Sequence, residues 1–283
     1  MRVAICGVSG FVGTYLSRAL VSSGYEVIRV GREHFASSEA LYNSLDGCEV
    51  VINLCGAPIL KRWDEAYKHE LYISRIETTK KILKEFAASK NRPKLYISAS
   101  AVGIYEENLV HDDDSTIYGT SYLSLLCREW ELEAKKAENL GIRSIIFRLG
   151  AILGSSGGAA NEFKSSFKMG LGAVPGDGKQ AFSWVHADDV VEVFKRAIEE
   201  ENMQGVYNLV APESVNMKTF MTYFGKAIGK RVWLNIPEKI IKIRYGEGAE
   251  LITRGSFVVP SKLEKEGYEF RYGHLPDALK TII

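Results

Sequence analysis

The sequence lacks an excess of charge of either sign. Its 36 Lys and Arg stand against 35 Asp and Glu, for a formal net charge of +1. That balance gives no argument for a nucleic-acid or membrane partner. No apolar run reaches the roughly 18 residues that would suggest a membrane span, and no signal-peptide pattern precedes the first strand. Cysteine is sparse: Cys6, Cys48, Cys55 and Cys127 are scattered, and no pair has metal-ligand spacing. The expectation is reduced core thiols in a cytoplasmic protein with no metal site. Internal repeats and low-complexity segments are absent. What remains is an ordinary soluble composition, 46% hydrophobic and 25% charged over 283 residues. That is enough for one large α/β unit or a core with a smaller lobe.

The chemistry starts at the amino terminus. Arg2 to Cys6 reads as a buried parallel strand, Thr14 to Ser22 carries apolar residues at helical spacing, and Glu26 to Val30 reads as a second strand. Between the first strand and the helix lie Gly7, Gly10 and Gly13. A strand, a glycine turn, a helix and a strand make one βαβ unit. A dinucleotide pyrophosphate needs backbone N–H groups and a helix N-terminus aimed at it. Glycine reaches the angles of a tight turn cheaply and keeps Cβ atoms away from the phosphate. The spacing is G-x-x-G-x-x-G rather than the commoner G-x-G-x-x-G. The candidate phosphate-binding residues are Gly7, Ser9, Gly10, Phe11, Val12 and Gly13. The second strand runs into Gly31-Arg32, about 20 residues past the turn, where a cation accommodates a ribose 2′-phosphate. Arg32 therefore predicts NADP rather than NAD, although Glu33 follows it.

Further strands are expected at Glu49–Leu54, Lys94–Ile97 and Ile142–Arg148, then Gln180–Val185 and Gly205–Val210. Ligands of a parallel sheet lie across the carboxyl ends of its strands. Leu54, Cys55 and Gly56 should therefore line the cofactor, with Gly56 letting backbone come close. Ser98, Ala99 and Ser100 stand at the end of the next strand, where small residues can touch nicotinamide or substrate. Long helices are expected over 61–90 and 120–140; on the first, Glu70 and Arg75 read by periodicity as an ordinary surface pair. The acidic stretch Glu106–Ser115 reads as a solvated loop. A shorter helix is expected over 161–169, and Asp188 or Asp189 near the cap of a helix that follows His186. Fold class is α/β: a Rossmann-type doubly wound parallel sheet formed by residues 1–155 and completed by 181–212. Residues 156–180 and 213–283 make a smaller substrate lobe.

These motifs resemble the extended and atypical short-chain dehydrogenase/reductase superfamily, in its nucleoside-diphosphate-sugar epimerase-like branch. The resemblance rests on GVSGFVG at 7–13, NLCG at 53–56, ISASAVGIY at 97–105, RLGAILG at 148–154 and FSWVHADDV at 182–190. It extends through KRWDEAYKHELYISRIETTK and CREWE to nearly the whole chain. It implies NADP contacts at Gly31-Arg32, Leu54-Cys55, Glu70, Arg75 and Ile152, and so turns Glu70 and Arg75 from a surface pair into cofactor ligands. It also implies catalysis by Ser100 and Tyr122. Here the chain departs from the pattern, because the Lys expected four residues after the tyrosine is Leu126. Tyr118 is no better placed, since Tyr122 stands four residues after it. Without the ammonium the phenol stays near its ordinary pKa of about 10, and a contribution of roughly 10²–10⁴-fold is put in doubt. The expected function is an NADP-dependent epimerase-like oxidoreductase acting on a sugar nucleotide or another small carbonyl or alcohol. The competing reading is a regulatory protein that senses NADP without catalysis. The helices over 63–90 and 120–140 are candidates for pairing two copies across a two-fold axis, as in relatives.

Overall fold

The computed structural model describes residues 1–168 and 172–283. Met169, the expected end of the helix over 161–169, lies outside them. The core alternates strands and helices: β1 (Arg2–Cys6), α1 (Phe11–Ser22), β2 (Glu26–Val30), α2 (Ser38–Leu45), β3 (Val50–Asn53), α3 (Glu65–Tyr72), α4 (Thr78–Ala88), β4 (Leu95–Ala101), α5 (Tyr122–Lys135), β5 (Arg143–Leu149), α6 (Ala187–Glu199) and β6 (Gly205–Leu209). The six strands form one parallel sheet in the order β6-β5-β4-β3-β1-β2. The chain leaves β1 to one side for β2 and returns on the other side for β3. That reversal opens a crevice above the carboxyl ends of β1 and β3, where open α/β sheets take their ligands.

Both faces of the sheet are covered, and the strands are apolar on both sides for that reason. Val3, Ile5, Ile52, Ile97 and Phe147 pack with Leu16 and Leu20 of α1 and with Val190 and Phe194 of α6. Ala4, Cys6, Val51, Tyr96 and Ile146 face the other way, against Leu41 and Leu45 of α2 and Ile82 and Phe86 of α4. A second core, holding Trp184, Phe220, Phe224, Leu275 and Leu279, builds the smaller lobe. Its helices are Met217–Ala227 and Leu275–Ile282.

Several local expectations change. Between Gly31 and Glu49, where no element is predicted, the chain forms a turn and α2, capped by Ser37, whose hydroxyl accepts from the Ala40 N–H. The helix expected from Lys61 starts instead at Glu65 with Asp64 as its cap. It continues into α4 through a π-type turn at Ile73–Glu77. The strand expected over 180–185 is two short strands, Ala181–Phe182 and Trp184–His186, broken at Ser183. The cap of α6 is the His186 ring, which accepts from the Asp188 N–H. Asp189 is buried and accepts from the Tyr268 hydroxyl and from the Arg271 and Tyr272 N–H groups.

The acidic stretch is the largest correction. Val110–His111 pairs in parallel with Phe257–Val258. Asp113 is buried, and its carboxylate accepts from the backbone N–H groups of Asn208 and Lys262. Unpaired backbone donors are costly to bury, so this carboxylate fastens the two lobes rather than solvating a loop.

Candidate functional site

Sequence and fold meet at the glycine turn. Gly7 has φ +81, in the left-handed region, and a Cβ there would lie 2.8 Å from the Leu54 carbonyl. A Cβ on Gly13 would lie 2.5 Å from the Gly7 oxygen. The turn therefore closes only with glycine at both positions, which brings the carboxyl end of β1 against that of β3. Gly10 caps α1 with no side-chain bond to the helix, and the first turn of α1 has no acidic residue. The N-terminal N–H groups and the positive end of the helix dipole are thus left for an anion. Phe11 turns the other way, into a slot made by the hairpin of Ala151–Gly154 and Gly157–Gly158. A Cβ on Gly154 or Gly157 would come within 2.5 or 2.3 Å of that ring. Ile152 lies in the same hairpin, close to Phe11 and Val12.

Arg32 follows β2 directly and is exposed. Among the described residues it has no hydrogen-bond or ion-pair partner. The Glu33 carboxylate lies 3.2 Å from the His34 Nδ1, which accepts from the Gly31 N–H. The Arg32 guanidinium lies within electrostatic reach of Cys55: burial pushes that thiol up to about 12, and the cation partly opposes the rise. An exposed cation at the end of the strand that neighbours β1 suits a phosphate.

Asn53 shapes the end of β3. Its amide donates to the Thr79 and Tyr96 hydroxyls, and its oxygen accepts from the Cys55 N–H. Glu70 and Arg75 do not form the surface pair that periodicity suggests. Glu70 is exposed on α3, whereas Arg75 is buried. Arg75 donates to the Ala57 carbonyl (3.1 Å), to the Ser74 hydroxyl and to the Leu71 carbonyl, and it lies over Trp130. It has no carboxylate partner among the described residues, and burial holds its pKa below the usual guanidinium value. A Cβ on Gly56 would come within 3.0 Å of this guanidinium. The space that Gly56 leaves is therefore filled by Arg75.

The two catalytic candidates have their hydroxyls on different partners. Ser98 is fully buried, with its hydroxyl donating to the Ala99 carbonyl. Ser100 donates to Glu131 at 2.7 Å. That carboxylate holds Arg148 by two bonds of 2.7 and 2.8 Å, and Arg148 donates onward to Tyr105. Burial alone would lower Arg148, but Glu131 and Tyr105 outweigh it and hold its pKa well above the ordinary value. The network is buried and sits beneath the C-terminal half of α5. Tyr122 stands at the start of α5, about 13 Å back along the helix at 1.5 Å per residue. Its hydroxyl donates to the Lys68 carbonyl at 2.6 Å. Burial raises its pKa, opposed by the Lys68 and Arg75 cations. No group of three or more His, Cys, Asp or Glu among the described residues is arranged to hold a metal ion.

A family model described as the NAD dependent epimerase/dehydratase family matches residues 3–210, and a domain of unknown function, DUF1731, matches 236–282. The chain belongs to the NAD dependent epimerase/dehydratase family. This epimerase-family chain is 34% identical to the epimerase family protein SDR39U1 homolog, chloroplastic, of Arabidopsis thaliana, over 100% of the chain and 87% of the relative. The crystal structure of human epimerase family protein SDR39U1 with NADPH superposes with a TM-score of 0.92 at 31% identity, covering 100% and 99% of the two chains. UDP-glucuronic acid 4-epimerase from Bacillus cereus has a TM-score of 0.83 at 18% identity, over 100% of this chain and 98% of that one, which is a likeness of fold alone. No helix among the described residues is long and apolar enough to cross a membrane.

The buried network is what sequence reasoning missed. Arg148 and Glu131 stand 17 residues apart on a strand and a helix. Only their opposite charges amid apolar neighbours hinted at a pair.

Proposed function

We propose that this chain binds NADP(H) along the carboxyl edge of β1, β2 and β3 and uses it as an epimerase-like oxidoreductase on a small carbonyl or alcohol, a sugar nucleotide being one candidate. The observation that carries the cofactor reading is the pairing of two open groups. One is the uncapped N-terminus of α1 behind Gly7 and Gly13, for the pyrophosphate. The other is the unpartnered Arg32 guanidinium, for the 2′-phosphate. When bound, the cofactor supplies or accepts a hydride. Arg75 would meet the cofactor's negative charge from below Gly56, and Glu70 and Ile152 would border it. The NADPH bound by the human relative supports the same choice.

The proton that accompanies the hydride does not go through a Tyr–Lys pair, because residue 126 is Leu and the Tyr122 hydroxyl is taken by the Lys68 carbonyl. Ser100 is linked to the buried Glu131 carboxylate and is the remaining candidate, directly or through a water. The same satisfied hydroxyls favour a second reading, an NADP-responsive binding protein without turnover. NADPH oxidation by the purified protein, followed with a panel of sugar nucleotides and small ketones, separates the two. Turnover that survives Tyr122→Phe supports the enzyme reading. Tight NADPH binding with no turnover across the panel supports the binding protein.

Exposed Ile73, Leu125 and Leu132 on the outer faces of the 73–77 turn and α5 suit a second copy of the chain. Sedimentation of Leu132→Glu against the unaltered protein tests that pairing.

A further inference from the structure

The whole-chain charge of +1 conceals a strong local imbalance. Residues 230–245 hold five cations (Lys230, Arg231, Lys239, Lys242 and Arg244) and a single carboxylate, Glu238. All five cations are exposed. The same stretch holds four large apolar side chains with high exposure: Trp233 73%, Leu234 69%, Ile240 56% and Ile243 75%. Scattered single apolar residues on a surface need no explanation, but a cluster does.

Each of these four side chains is exposed, two at the start of a short strand and two on the helix that follows it. The strand Leu234–Ile236 pairs with Ala173–Pro175 and, among the described residues, with no other strand; Pro237 leads straight into the helix Glu238–Tyr245. On that helix Ile241 is buried. At about 100° per residue, Ile243 lies nearly opposite Ile241 and Ile240 about 100° from it, with Lys239 beside Ile243, Arg244 beyond Ile240 and Lys242 on the other flank. The Arg231 guanidinium lies 5.5 Å from the Trp233 ring centre. Aliphatic and indole side chains at the tip, ringed by long cationic side chains that keep their charges at the rim, match the chemistry of an anionic lipid surface.

We infer that the face formed by Trp233, Leu234, Ile240 and Ile243 docks reversibly on an anionic bilayer, with the surrounding Lys and Arg side chains on lipid phosphates. The face joins the loop that follows β3. Arg62 donates to the Ile243 carbonyl, and the Trp63 N–H donates to the Tyr245 carbonyl at 3.0 Å. The protein lies on the membrane and does not enter it beyond these tips.

Co-sedimentation of the full chain with phosphatidylcholine vesicles, with and without phosphatidylglycerol, tests this. The expected result is binding at least about tenfold tighter to the anionic vesicles, weakened by salt. Trp233→Ala, which keeps every cation, and Ile243→Glu should each reduce it about tenfold while leaving NADPH affinity and the melting temperature unchanged. The inference is overturned by equal or absent binding to the two vesicle types. It is also overturned by binding that ignores both variants, or by self-association in sedimentation that Ile243→Glu abolishes, which would assign the face to a second copy.

Discussion

The carboxyl edge of the sheet has two halves, and they are built on opposite principles. Above β1, β2 and β3 charge and donors are left without a counter-charge among the described residues: α1 has no side-chain cap, Arg32 has no partner, and buried Arg75 donates only to neutral acceptors. Above β4 and β5 the polar groups are closed on one another: Ser100, Glu131, Arg148 and Tyr105 form a chain of bonds between 2.7 and 2.8 Å. Open donors in a crevice are what an anionic ligand requires. A closed buried network instead fixes the packing of α5 on the sheet, and its cost would be high if any member were removed. Ser100 can therefore take part in proton transfer only by giving up its bond to Glu131.

The contrast can be broken from either side. The largest effect is expected from Gly13→Val. Its side chain would meet the Gly7 oxygen and the Val8 backbone, so the turn cannot close and calorimetry should detect no NADPH binding. On the closed side, Glu131→Ala leaves Arg148 buried without its counter-charge. Breaking such a pair costs about 3–5 kcal/mol, to be read as a lower midpoint in urea unfolding. Arg32→Ala should weaken NADPH binding by about 1.5–3 kcal/mol, the scale of a charge-assisted hydrogen bond, and leave NADH affinity nearly unchanged.

The smallest effect concerns the join between the lobes. His186 is buried against Tyr272, and its Nε2 meets the Thr281 hydroxyl at 3.0 Å. Burial lowers its pKa below the ordinary 6.5, opposed by the Asp188 and Asp189 carboxylates. A group whose folded pKa is lowered binds more protons when unfolded, so stability falls as pH drops below about 6.5. His186→Asn keeps a capping oxygen and should flatten that part of the stability profile. An unchanged slope between neutral and mildly acid pH would remove His186 from the account.

How legible each half was in the sequence follows from how local its physics is. The glycine turn, α1 and the strand ends are written in neighbouring residues: a β-rich run, then glycines, then helical spacing. The closed half is written in pairs far apart. Ser100 and Glu131 are 31 residues apart, and Asp113 finds its donors 95 and 149 residues on, at Asn208 and Lys262. A run of three aspartates reads as solvated unless those partners are known. Glu70 and Arg75 show the same limit. Their spacing suggests a pair, but the π-type turn at Ile73–Glu77 rotates Arg75 under Gly56 and leaves Glu70 on the surface. Tyr122 was legible as a residue of α5, but its bond to the Lys68 carbonyl depends on how α3 packs.

The most direct test of the open edge is a calorimetric titration of the unaltered protein with NADPH and with NADH. Both should bind, NADPH at least about tenfold tighter, as expected for one charge-assisted contact, and Arg32→Ala should erase the difference. Failure of both dinucleotides to bind the folded protein, or a preference for NADPH that survives Arg32→Ala intact, would contradict an open, NADP-binding edge.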